Sequence, residues 1–455
     1  MSPSSSPSES LFGGIFGRGG AAAEVSDAGW LRALLDTEAA LARAGAQARL
    51  FPVDVAQAIT VACADAERYD VADLGRQAAD AANPVVPLVR AIERLAGEAG
   101  AHVHQGATSQ DILDTASMLV ARRALQPLRA DLRAAAEAAA ELARRHGDTV
   151  MVGRTLLQQA VPTTFGLKAA GWALALHGAE RRLAAVEAGL PAQLGGAAGT
   201  LAALGGAGGQ VLAALAGELG LATPVLPWHT ARLPIADLAG ALGTGAGVTT
   251  KVALDVVLLA QTEVAEVAEG TPGRGGSSAM PHKRNPVAAL SARAAARRAP
   301  ALVATLLAAM EQEHERGAGT WQSEWEPLSD LLRCAGSAAA WLRDSLEHLV
   351  VNPARMWANL DATGAELAAE AVADTLNPVL GRSRAHDVVS AAVSRARAQA
   401  LPLRDVLLAD PAVRGRLDAA QLDALLDPAQ HVGEAQRLVD LALAALAAPT
   451  PRSSP

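Results

Sequence analysis

The chain has 455 residues, of which 51% are hydrophobic, 19% charged and only 3% aromatic. That is ample apolar mass for a large core, and the scarcity of aromatic and β-branched residues favours helices packed through small side chains over a β-sandwich or barrel. A formal charge of −8 argues against a nucleic-acid partner, which needs a basic face. Two cysteines, Cys63 and Cys334, provide no disulfide framework and suit a reducing, cytoplasmic compartment. No run of about 18 uninterrupted apolar residues occurs, so no membrane span is expected. Residues 1–10 are rich in Ser and Pro and lack the features of a secretory signal.

Residues 1–20 are expected to be disordered, as is the Pro/Ser tail 449–455. A helix is predicted from near Trp30, where Leu31, Leu34, Leu35, Glu38 and Leu41 recur at helical spacing. Asn83, Pro84 and Pro87 interrupt the pattern before a short helical run, and residues 102–108 are polar with Gly106 among them. Long helices are predicted over 118–145, 165–190 and 249–269, with Pro127 placed to kink the first. Another opens at Pro286. Shorter helices separated by Pro402, Pro411 and Pro428 follow residue 352. The expected division is a helical domain 21–108, a central long-helix bundle 109–351 and a smaller helical domain 352–448.

The segment with the most chemistry is 270–286, GTPGRGGSSAMPHKRNP. Composition alone suits a flexible Gly/Ser connection. However, Ser277 and Ser278 precede Lys283, Arg284 and Asn285 at a helix N-terminus, where free N–H groups and the dipole favour anions. A glycine-rich loop carrying two cations can cover an anionic substrate and turn a serine into a base. The glycine stretches 205–209 and 243–247 follow no strand and complete no P-loop, so no nucleotide cofactor is indicated.

Residues 276–286 closely resemble the signature GSSxMPxKxNP of the fumarase/aspartase superfamily. Thr108-Ser109-Gln110-Asp111 resembles its TSxD region, and Gly153-Arg154-Thr155 with Gln158 resembles GRTxxQ. Residues 194–202, 227–232, 312–317 and 321–326 are similar to the carboxymuconate-lactonising branch. The resemblance is strong in the central two-thirds of the chain and weak at both tails. It departs from the amine lyases of the superfamily at Leu156, where those carry a histidine as general acid for a leaving nitrogen. A leucine donates no proton, which is tolerable when the leaving group is a carboxylate.

The resemblance implies an all-α, three-domain fold with a central long-helix bundle. It also implies a homotetramer whose active sites draw segments from three subunits, and a reaction without metal or organic cofactor. That reaction is intramolecular: one carboxylate of 3-carboxy-cis,cis-muconate adds across a double bond while the adjacent carbon takes a proton. This gives 4-carboxymuconolactone, in the protocatechuate branch of the β-ketoadipate pathway, and is the reverse of a β-elimination. The alternatives are an adenylosuccinate-type elimination and a non-catalytic member.

On this reading Ser277 transfers the proton, with Ser278 as fallback. Lys283, Arg154, Arg232 and Arg316 bind the tricarboxylate, and Arg–carboxylate pairs fix its orientation. Thr108, Ser109, Thr155, Gln158 and Asn285 supply neutral hydrogen bonds, and His104 faces the site. Read from the residues alone, residues 108–111 suit a helix cap as well as a ligand. His229 suits a structural role as well as substrate contact. His102 and His104 lack a third metal ligand at a recognised spacing. Glu324 and Glu326 read as structural partners of the cations.

Overall fold

The computed structural model describes residues 11–276, 280, 282–362 and 369–448. Helices dominate, and two small antiparallel strand pairs complete the regular structure among the described residues. The all-α class therefore holds.

The chain forms two compact units. The first comprises Met1–Ala134, Leu176–Leu254 and Ala288–Asp344. Its helix Asp27–Gln47 starts where Ser26 Oγ accepts from Gly29 N–H at 3.2 Å, slightly before Trp30, and buries Leu31, Leu34, Leu35, Glu38 and Leu41. Ile59, Leu88, Ile92, Ile112 and Met118 pack into the same unit's core. Residues 11–20, expected to be disordered, are instead ordered. They contain the short helix Gly13–Phe16, and Arg18 pairs with Asp344 at 2.7 Å while its guanidinium lies 3.9 Å from the Trp341 ring centroid. Leu11, Phe12 and Ile15 stay exposed, and the segment is held by polar bonds instead: Ser337 Oγ–H and Trp341 Nε1–H donate to Ile15 O at 2.8 and 2.9 Å, and Arg18 N–H donates to Ser337 Oγ at 3.2 Å.

The helix Ser109–Arg145 is 37 residues long and begins well before residue 118. Thr108 N–H donates to Asp111 Oδ2 at 2.9 Å, so the polar segment caps the helix rather than preceding it. Ala116, Ala121 and Ala124 are buried along it, the close packing that an Ala-rich sequence allows.

A second difference concerns residues 249–269. The helix runs over Leu233–Leu259, after which Ala265 takes a left-handed φ of 52° and Val267–Glu269 pairs as a strand with Leu349–Val351. Helical propensity loses here to tertiary bonding. Glu266 N–H donates to Leu259 O, and its carboxylate accepts from Arg154 and Asn359. By length and composition Leu233–Leu259 is apolar enough to cross a membrane, yet 44% of its most apolar window is buried within the protein.

The second unit comprises Ala135–Ala175, Asp255–Val287 and Ser345–Pro455. Its hairpin joins Val150–Thr155 to Gln158–Thr164, a pair of strands that helical periodicity does not announce. Phe165 and Trp172 meet edge to face at 5.7 Å, and Trp172 Nε1–H donates to Asp255 at 2.7 Å. Leu376, Val389, Leu407, Val413 and Leu422 form a further core among its last helices.

Candidate active site

Asp111 lies in the first turn of the Ser109–Arg145 helix, and both of its carboxylate oxygens are saturated. Oδ1 accepts from Gly195 N–H at 2.8 Å and pairs with His229 Nε2 at 2.7 Å. Oδ2 accepts from Gly196 N–H at 2.9 Å, besides the Thr108 N–H already described. The helix dipole favours an anion at this end. Gly195 permits the approach, because a Cβ there would stand 2.8 Å from His229 Cε1 and from Pro227 Cβ. Gly196 has a φ of +70°. One buried carboxylate thus gathers the helix start, the glycine turn and the His229 loop.

Beneath this lies a second buried network. Arg232, 2% exposed, donates to Asp114 through Nη1 and Nη2 at 2.7 and 3.0 Å, and to Glu324 through Nε and Nη2 at 3.0 and 2.5 Å. Trp321 Nε1–H and Gln110 Nε2–H also donate to Asp114, at 3.0 and 3.1 Å. Burial pulls the Arg232 pKa down, but Asp114 and Glu324 outweigh it and hold the guanidinium charged. Burial pushes the Glu324 carboxyl up, against the pull of Arg232. Arg232, expected to bind substrate, is saturated here by two carboxylates. Glu324 is its structural partner, as expected.

Arg316 differs. Its Nε donates to Gln110 Oε1 at 3.2 Å, Nη1 to Thr108 Oγ1 at 3.1 Å, and Nη2 to the Ala197 and Gly196 carbonyls at 3.1 and 3.4 Å. All these acceptors are neutral, and the side chain is half-buried. They hold the cation beside Thr108 and the glycine turn without neutralising it. His104, at the start of the tight turn that leads to Thr108, has a left-handed φ of 60°, and its Nδ1 lies 2.7 Å from Glu38 Oε1. Ser109 is half-buried at the first position of the helix. His102 does not join this group: its Nδ1 pairs with Gln105 at 3.0 Å and its ring packs on Phe51.

In the second unit Arg154 forms two bonds to Glu266, at 3.0 and 2.7 Å, so its charge is compensated. Thr155 and Gln158 face each other at the exposed tip of the hairpin. Between them Leu156 and Leu157 take φ values of 51° and 65° and are 96% and 75% exposed. Lys283 is exposed. Asn285 Nδ2–H and N–H both donate to Gly275 O, at 3.2 and 2.8 Å, closing the neck of the loop. Ser277 and Ser278 lie outside the described residues.

The structure thus assembles His104, Thr108, His229, Arg232 and Arg316 in one unit, around Asp111, Asp114, Glu324 and Glu38, of which Asp114 and Glu38 lie outside the segments that carry the resemblance. Asp114 is the residue three beyond Asp111 on the same helical face, and Glu38 is a lone acid in an apolar stripe; both spacings are visible in the sequence.

A family model described as "Lyase" matches residues 22–300, and one described as "Adenylosuccinate lyase C-terminus" matches 367–442. The chain is 47% identical over 434 residues to a nitrosuccinate lyase of Streptomyces davaonensis, covering 92% of this chain and 91% of that one. It is 46% identical over 430 residues to a 3-carboxy-cis,cis-muconate cycloisomerase of Bradyrhizobium diazoefficiens, covering 93% and 95%. The crystal structure of the 3-carboxy-cis,cis-muconate lactonizing enzyme of Pseudomonas putida superposes with a TM-score of 0.90 at 43% identity, covering 96% of this chain and 98% of the other.

Proposed function

The chain belongs to the fumarase/aspartase superfamily of lyases, and from that premise we propose that it is a 3-carboxy-cis,cis-muconate cycloisomerase. The carrying observation is the near full-length similarity to cycloisomerases of that name at 46% identity. One substrate carboxylate adds to the double bond, the adjacent carbon takes a proton, and the intermediate holds extra negative charge on a second carboxylate. Stabilising that charge requires fixed cations and hydrogen-bond donors. Arg316, held by neutral oxygens, supplies a cation of this kind. Ser277 and Lys283 are assigned proton transfer and charge stabilisation, with Ser278 as the alternative base. Arg154 is assigned to substrate only if it leaves Glu266.

Leu156 argues against substrates with a nitrogen leaving group that must be protonated, such as adenylosuccinate. It does not argue against nitrosuccinate, because a C–N bond that breaks to give nitrite also releases a stable anion. The 47% identity to the nitrosuccinate lyase therefore supports a second reading, elimination of nitrite from nitrosuccinate to leave fumarate. We further propose a cytoplasmic homotetramer with shared active sites and the three-part division 21–108, 109–351 and 352–448. The exposed Leu156 and Leu157, with Val225 and Leu226 at 98% and 74% exposure, supply apolar surface for self-association.

The test is an ultraviolet assay of the purified protein with each substrate and no added cofactor. Loss of diene absorbance with the muconate supports the cycloisomerase. Release of nitrite from nitrosuccinate without muconate turnover replaces it with the second reading. Size-exclusion chromatography with light scattering reads the assembly.

A further inference from the structure

We propose that Glu38 and His104 form a carboxylate–imidazole dyad that presents an imidazolium Nε2–H to a substrate carboxylate beside Arg316. The proposal rests on the reading of this site as one that binds a polycarboxylate.

Glu38 sits on the buried face of the Asp27–Gln47 helix and is 1% exposed. A carboxylate this deep needs a compensating charge. Its Oε1 is 2.7 Å from His104 Nδ1, and its Oε2 is buried without a hydrogen-bond partner among the described residues. Imidazolium formation on His104 gives Glu38 the positive partner that this geometry requires. With Nδ1 committed to Glu38, Nε2 is the ring edge that remains for substrate.

The backbone supports the same conclusion. His104 has a φ of 60°, a conformation uncommon outside glycine, and it opens a turn in which Ala107 N–H donates to His104 O. That turn delivers the chain to Thr108, whose Oγ1 receives Arg316. Gly106 lies against Leu204, where a Cβ would stand 2.2 Å from Leu204 Cδ2. The turn is thus clamped, and the histidine is held while its side chain is still 19% exposed.

The charged groups around the ring come from separate elements. Burial lowers its pKa, but the charge and hydrogen bond of Glu38 outweigh burial, and Asp111 and Glu93 add to the rise. Nearby, His229 is occupied by Asp111, and Arg316 reaches Thr108 four residues along the chain. The net result is a raised His104 pKa. Its protonated form persists to higher pH than an isolated imidazole allows, and carboxylate binding weakens as pH rises through that raised value.

The test is calorimetric titration of the full-length protein with propane-1,2,3-tricarboxylate, an unreactive probe, between about pH 6 and about pH 9. Affinity in the wild type falls along an alkaline limb. Glu38→Gln keeps the shape of the side chain and removes its charge, so the midpoint of that limb moves down by about one pH unit. The loss of affinity is then about tenfold at pH 8 and under about twofold at pH 6. His104→Gln, at a partly exposed position, flattens the limb and keeps the proposal testable should Glu38→Gln not fold.

An equal loss for Glu38→Gln at every pH, an unmoved midpoint, or a surviving limb in His104→Gln overturns the dyad. No binding to the wild type at pH 6 overturns both the dyad and the carboxylate-site reading. Binding with the expected limb but no muconate turnover leaves the dyad standing and sinks only the substrate assignment.

Discussion

Asp111 and His229, 118 residues apart in the chain, are joined by a 2.7 Å bond between Oδ1 and Nε2. The same oxygen accepts from Gly195 and its twin from Thr108 and Gly196, so one residue fixes three segments of the site.

Asp111→Asn retains one carbonyl oxygen and replaces the other with a donor that faces N–H groups. Each buried donor left unpaired costs about 1–3 kcal/mol. The expected outcome is a stability loss of about 2–4 kcal/mol in denaturant unfolding and a fall in kcat/KM of about 100-fold or more. Activity near that of the wild type would show that the carboxylate does not organise the site.

Arg232 and Arg316 are predicted to separate cleanly. Removing one partner of a buried ion pair strands the others, so Arg232→Gln lowers stability by about 3–5 kcal/mol. Arg316 has no carboxylate to strand, and Arg316→Gln is expected to change stability by under about 1 kcal/mol while raising KM about tenfold or more. Thermal unfolding and steady-state kinetics on both variants check the pair. The reverse pattern would exchange their roles.

His146 gives a pH dependence of opposite sense to that of His104. Burial and Arg145 lower its pKa below the ordinary imidazole value, and its ring meets Phe165 edge to face at 5.6 Å. The folded state thus binds fewer protons here than the unfolded state. This contribution is complete above the unfolded value of about 6.5 and is lost as pH falls through the lowered one. Between about pH 7 and about pH 5 the unfolding free energy of the wild type is expected to fall more steeply than that of His146→Gln. Parallel curves would show that His146 does not titrate differently on folding.

The helical class was legible in composition and spacing, and the family was legible in the motif at residues 276–286. Helix ends were less so, for physical reasons. The Thr108 cap extends a helix upstream into residues that look like a polar loop. Beyond Leu259 the chain has helical propensity, but the bonds of Glu266 to Arg154 and Asn359 pull it into a strand. Within the site, charge type was readable but compensation was not. Arg232 and Arg316 look alike in sequence, and only the fold brings Asp114 and Glu324 to one and neutral oxygens to the other.

The tip of the hairpin carries a consequence for how new activities arise on this scaffold. On the proposed reading Leu156 stands where a proton donor would distinguish one leaving group from another, and it is 96% exposed in a turn. The residues that hold the site together are elsewhere, in the buried bonds of Asp111 and Arg232. Exchange at position 156 therefore breaks no buried bond within the subunit and acts only on the apolar surface proposed for self-association. On the proposed reading, leaving-group chemistry and the buried bonds of the subunit are written on separate residues, so a single mutational step can revise the first without breaking the second.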